Sequence, residues 1–99
     1  MEPRDTLRTS HAILPLGGVT ITSATLEVLT RRGVDPVPLL ERHRAGDWGD
    51  AEREYAVLND QALWTGGEVV SIYEIEGGVQ VRVTTEIKAV TRVTLLEEA

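Results

Sequence analysis

The sequence predicts an α+β fold in which three helices pack on one face of a small antiparallel sheet of three to four strands. Apolar residues recur at helical spacing, between capping signals, from Ser23 to Gly67, and a two-residue alternation takes over from Glu68 onward. Helices in one run and strands in the next point to α+β rather than alternating α/β. A chain of 99 residues has room for one core. That single domain is expected over 11–99, with 1–10 as a flexible leader, because Met1 to Ser10 mix charge with Pro and Thr and show no period.

In chain order, His11-Ala12-Ile13-Leu14 is short and apolar enough for a strand, after which Pro15 and Gly17-Gly18 interrupt. Val19-Thr20-Ile21-Thr22 is β-branched throughout and predicts a short strand that joins the sheet edge. Ser23 can cap a first helix in which Leu26, Leu29 and Thr30 share a face, with Arg31 and Arg32 at the negative end of its dipole and Gly33 as the stop. Asp35-Pro36 repeats a start signal, and Val37, Leu39 and Leu40 supply the apolar face of a second helix ending at Gly46. Asp47 or Asp50 then caps a longer third helix with Ala51, Tyr55, Leu58 and Ala62 on one stripe, Trp64 near its end and Gly66-Gly67 closing it.

Three strands follow, Val69 to Ile75, Val79 to Thr85 and Val90 to Leu96, the first two joined by a hairpin at Gly77-Gly78. An odd loop places Tyr73 and Ile75 on the face of Val79, Val81 and Val83, and an even loop places Val70 and Ile72 there. The odd loop is preferred because it buries the tyrosine ring.

Composition narrows the function classes. The chain has no cysteine, which removes disulfides, thiolate nucleophiles and cysteine-based zinc sites and fits a cytoplasmic setting. No segment approaches the ~20 apolar residues that span a bilayer. Net charge is −6, unevenly spread: residues 1–44 carry six Arg against five acids, and residues 45–99 carry four basic groups against eleven acids. The acidic half disfavours direct binding to nucleic acid and suits a basic protein partner. No phosphate loop, dinucleotide fingerprint or nucleophile elbow is present, and two histidines, His11 and His43, leave little material for a triad.

The densest chemistry lies in Arg42-His43-Arg44-Ala45-Gly46-Asp47-Trp48-Gly49-Asp50. His43 and Asp47 are four apart, a spacing that can serve one metal, and Asp50 and Glu86 are further carboxylates; together they are the candidate catalytic set. The structural account of the same residues is stronger: Arg42, His43 and Arg44 suit a helix C-terminus, and the aspartates suit caps. No metal or cofactor is expected. Arg42, Arg44, Trp48, Asn59 and Tyr73 are the candidate binding residues: Trp48 as a core plug or, if exposed, an interface anchor, and Asn59 as a clamp on a neighbouring loop.

Thr22 to Glu27, Leu39-Leu40, Arg42-His43-x-x-Gly46-Asp47-Trp48-Gly49, Asn59, Ala62-Leu63, Gly66, Ser71-x-Tyr73 and Thr85-Glu86 together resemble a family of small bacterial proteins labelled plasmid-related. The resemblance spans about Ile21 to Leu96 and implies no reaction. Family members continue the Thr-Glu pair with an Asp-Arg-Ser-like turn and end in a Leu-Pro-Glu-Glu-Tyr-like tail, where this chain has Ile87-Lys88-Ala89-Val90 and Leu95-Leu96-Glu97-Glu98-Ala99. The functional expectation is a non-catalytic protein-binding or regulatory accessory protein of bacterial mobile-element type, in its most specific form an inhibitor of a nucleic-acid-processing defence complex. The alternative is a small metal-dependent hydrolase using His43, Asp47 and Asp50. A homodimer through an open sheet edge is the expected assembly, if any.

Overall fold

The computed structural model describes residues 14–87 and 90–98. The leader at 1–10 and the strand expected from His11 lie outside the described residues, apart from Leu14, which is buried and not in a strand. The elements are β1 (Gly18–Ile21), α1 (Ser23–Arg32), α2 (Val37–Arg44), α3 (Arg53–Thr65), β2 (Glu68–Ile75), β3 (Val79–Glu86) and β4 (Val90–Leu95). They form an α+β fold with a four-stranded sheet in the order β1-β4-β3-β2. The sheet is mixed rather than antiparallel: β2, β3 and β4 form a meander, and β1 joins the edge of β4 in parallel.

The hairpin takes the odd loop. Ile75 pairs with Val79 and Tyr73 with Val81, so the tyrosine shares a face with Val83 and Ile75. That face is buried along all three long strands and packs with Leu29 of α1 and Leu39 of α2. A second cluster, Leu14, Ala62 and Val69, sits under α3 and the entering chain, with Trp48 and Leu63 against it.

Tertiary contacts move several caps. Thr22, not Ser23, caps α1, its hydroxyl accepting from the Thr25 N–H at 3.2 Å. Gly33 ends α1 at φ 67°, and the Val34 N–H reaches back to the Leu29 carbonyl at 2.9 Å. Asp35 accepts from the Val37 N–H at 2.9 Å. α2 closes on Ala45, one residue before Gly46. Neither Asp47 nor Asp50 caps α3, which starts at Arg53 after Glu52 and leaves Ala51 outside it. The reason is that residues 48–50 are drawn onto β2, the Asp50 N–H donating to the Ile72 carbonyl at 2.6 Å and the Ile72 N–H to the Trp48 carbonyl at 3.2 Å.

The stripe expected on α3 is also corrected. Asn59 and Ala62 are buried, whereas Tyr55 and Leu58 stand 47% and 55% exposed. Asn59 sets that rotation: its amide donates to the Val70 carbonyl at 2.7 Å and accepts from the Val70 N–H at 2.9 Å, pairing with the strand edge as another strand would. Edge backbone left unpaired invites foreign strands, and this clamp together with the 48–50 bridge blocks β2 from pairing there. Asn59→Ala is expected to cost about 2–3 kcal/mol, because a donor and an acceptor lose their partners at a partly buried edge; urea unfolding checks it.

Candidate functional site

His43 is fully buried at the end of α2 and lies inside a continuous chain of hydrogen bonds. The direction of that chain follows from its far end. The Leu16 carbonyl can only accept, so the Thr91 hydroxyl donates to it at 2.6 Å. With its one proton engaged, Thr91 must accept from the Thr85 hydroxyl, 2.6 Å away. Thr85 in turn must accept from His43 Nε2–H at 3.0 Å, and the neutral ring then receives the Ser71 hydroxyl proton at Nδ1, at 2.6 Å. Ser71, Thr85 and Thr91 are all buried. The chain ties α2 to three strands and to the segment entering β1.

Burial holds the His43 ring neutral, its pKa pushed down to about 4 from an ordinary 6.5. In the unfolded chain the same ring takes up a proton near pH 6.5, so between pH 6.5 and 4 the unfolded state binds more protons than the folded one. Stability is therefore fully present above pH 6.5, falls as the pH drops to 4, and takes no further loss from this group below that, for a total of about 3 kcal/mol. The carboxyl of Asp47, held low by the Arg42 hydrogen bond, and that of Glu98, held low by the Leu95 N–H and then Thr22, begin to lose their contributions as the pH falls through the ordinary carboxylate range and lose the rest below it. Urea unfolding from pH 7 to 4 is expected to show the His43 component in the wild type and not in His43→Gln.

The Arg-His-x-x-Gly-Asp-Trp-Gly turn is bound to the sheet from several sides. Arg42 Nε donates to Asp47 at 2.7 Å, and its guanidinium lies 4.4 Å above the Tyr73 ring. The Tyr73 hydroxyl donates to the Asp47 carbonyl at 2.5 Å, and burial pushes that phenol up to about 12. Asp47 also accepts from the Gly49 N–H at 3.0 Å. Trp48 is half-buried against the second cluster, edge-on to His43 with ring centres 6.0 Å apart, and donates to Asp60 at 3.3 Å. It is a packing element with one solvated edge. Trp64, by contrast, is 90% exposed.

These positions separate the candidate catalytic set. His43 points into the core with both ring nitrogens engaged, while Asp47 and Asp50 are exposed and Asp47 is paired with Arg42. Glu86 is exposed one residue beyond Thr85, so the strand alternation turns it to the opposite face of the sheet. Among the described residues no group of three histidine or acidic side chains is placed to hold a metal ion. Of the candidate binding residues, Tyr73 and Asn59 are buried and structural, Arg42 covers Tyr73, and Arg44 makes a surface pair with Glu41 at 3.4 Å. Asn59 clamps a strand edge rather than a loop.

What motif reading missed is the other face of the sheet. The two core clusters lie on the inner side; the outer side is a concavity of about 810 Å³. Val70 and Ile72 of β2, Arg82 and Thr84 of β3, and Arg92 and Thr94 of β4 line its floor. Tyr55 and Glu52 border it beside β2, Thr22 and Glu98 border it beyond β4, and Leu96 closes the end of β4, its N–H donating to the Gln80 carbonyl at 3.0 Å. Glu98 is held there by the Thr22 and Thr25 hydroxyls and the Leu95 N–H, at 2.8–2.9 Å. The alternation of β2 and β3 carried the signal, since Val70 and Ile72 are apolar residues of outward parity.

No protein-family model, curated protein or solved structure matches the chain. No helix among the described residues is long and apolar enough to cross a membrane.

Proposed function

We propose that this chain is a non-catalytic protein-binding module, a regulatory or accessory protein that receives a partner on the outer face of its sheet. The observation that carries this reading is the uneven covering of the sheet: helices pack on one face, and the other holds the half-buried Val70, Ile72 and Leu96 beside the exposed Tyr55, among charged side chains. Sheets with an apolar face bury it against another layer, and an apolar centre with a polar rim is the usual anatomy of an interface. The dispersal of His43, Asp47, Asp50 and Glu86 speaks against the hydrolase alternative. The residues that looked most like chemistry, His43 above all, hold the fold together. In its most specific form the partner is a nucleic-acid-processing defence complex met by an accessory protein of a bacterial mobile element, with the acidic half of the chain facing a basic groove.

A photo-crosslinking amino acid placed at Thr84, in the centre of the open face, is expected to trap a protein adduct of discrete mass in the producing cell. The same group at Glu27 on α1 is expected to trap none. No adduct at Thr84, or the same adducts at both positions, overturns the reading.

A further inference from the structure

We infer that this chain associates with a second copy of itself through the outward side of α3, in an antiparallel pair in which Trp64 of each copy seats in a groove on the other. The inference does not depend on the reading of the outer sheet face, and the two surfaces share no lining residue.

The rotation that Asn59 imposes on α3 leaves apolar side chains on its solvent side. Val57 and Leu58 are exposed, and Trp64 is 90% exposed, so its indole gains almost nothing from the chain that carries it. On the same helix, Arg53, Glu54, Val57, Leu58 and Gln61 enclose an open groove of about 470 Å³. Arg53, Val57 and Gln61 form one ridge at i±4 spacing and Glu54 and Leu58 the next. A groove between two such ridges is what receives a side chain from a neighbouring helix.

The spacing of ring and groove selects a second copy, and selects its direction. Trp64 lies seven residues after Val57, which is about 10.5 Å along the axis and within about 20° of the same face. A two-fold axis crossing α3 between them, close to Gln61, carries each Trp64 onto the other copy's groove and fills both at once, as an isologous contact requires. A parallel pair sets Trp64 against Trp64 and groove against groove, and fills neither.

The charges agree with the antiparallel direction. Arg53 opens α3, where the helix dipole disfavours a cation, and the last turn carries no basic residue. Antiparallel pairing brings Arg53 of each copy to the C-terminal end of the other's α3, beside the Trp64 ring, where the dipole and the indole face both attract it. Glu54, on the facing ridge, is favoured by its own helix N-terminus and opposes the partner's C-terminus. A helix of 13 residues is about 20 Å long, so the pair buries on the order of 800–1,000 Å² in all, the size of a weak, reversible contact.

Other occupants fit less well. Residues 45–99 carry eleven acids against four basic groups, which works against laying Trp64 on an anionic membrane surface. Association through the β2 edge is blocked by the Asn59 clamp and the Gly49 bridge.

Sedimentation velocity of the full chain, from low to high micromolar concentration, is expected to show a reversible monomer–dimer equilibrium. Trp64→Ala, with folding checked by circular dichroism, is expected to weaken it about thirtyfold, as loss of a central aromatic anchor does. Arg53→Gln is expected to weaken the dimer and Glu54→Gln to tighten it. The chain has no cysteine, so Gln61→Cys supplies a single thiol beside the two-fold axis. With a short bifunctional maleimide it is expected to give covalent dimer about tenfold faster than Glu27→Cys on α1, because only the former thiols are held together. A chain that stays monomeric throughout, self-association unchanged in Trp64→Ala, shifts of the same sign in Arg53→Gln and Glu54→Gln, or equal crosslinking at positions 61 and 27 each overturns the inference.

Discussion

His43→Ala is expected to lower the unfolding free energy by about 4 kcal/mol, the combined effect of a vacated core site and two buried hydroxyls that lose their partners. The imidazole is fully buried between Ser71 and Thr85, and both of those side chains are buried as well. After truncation the Ser71 hydroxyl has no acceptor at Nδ1, and Thr85 receives nothing from the α2 side. The rest of the chain, Thr85 to Thr91 to the Leu16 carbonyl, keeps its direction, because that direction is imposed from the Leu16 end. A protein of this size holds about 5–15 kcal/mol in all, so the variant is expected near the edge of folding. Ser71→Ala is the milder companion, leaving one ring nitrogen without a donor at about 1–2 kcal/mol. Urea unfolding at pH 7 ranks the two; equal and small losses would show that the hydrogen-bond chain does not organise the core.

Gly49→Ala is expected to cost about 3–4 kcal/mol, through backbone strain together with a collision that neither neighbour can avoid. Gly49 sits at φ 67° in the bridge to Ile72, and a methyl group there would overlap the Ile72 carbonyl oxygen and the Tyr73 ring. Moving the turn away breaks the Asp50-to-Ile72 and Ile72-to-Trp48 backbone bonds and pulls the Asp47 carbonyl from the Tyr73 hydroxyl. Gly33 provides the control, having the same φ of 67° with nothing within 4 Å of an added methyl. Gly33→Ala is expected to lose only the conformational part, about 1 kcal/mol. Denaturation midpoints of the two variants separate conformation from collision, and similar values for both would remove the packing role assigned to the turn.

The dominant feature of the molecule is that its most reactive-looking stretch is structural. Arg42 to Gly49 fastens α2 and the following turn onto β2. Buried polar groups with every partner supplied specify a unique arrangement of helices over a sheet.

By itself the sequence determined what depends on neighbours close along the chain. The partition into helices and strands, the glycine stop at Gly33 and the Asp35 turn follow from spacing and capping within about ten residues, whereas parity allowed two hairpin registers and the burial of Tyr73 was the ground for preferring the odd loop. Tertiary structure alone decided the rest. His43 bonds to residues 28 and 42 positions away, so its identity as a core histidine was invisible until Ser71 and Thr85 stood beside it. Their inward parity next to Tyr73 and Val83 was the one available hint, since two polar residues at core positions require a partner. Asn59 is polar, and an apolar stripe drawn through α3 therefore excluded the residue that sets the helix's rotation. Alternation in a strand is the same in parallel and antiparallel pairing, so the direction of β1 against β4 could not be read from Val19 to Thr22. Which face of the sheet stays open is likewise a property of where three helices come to rest, and no local pattern encodes it.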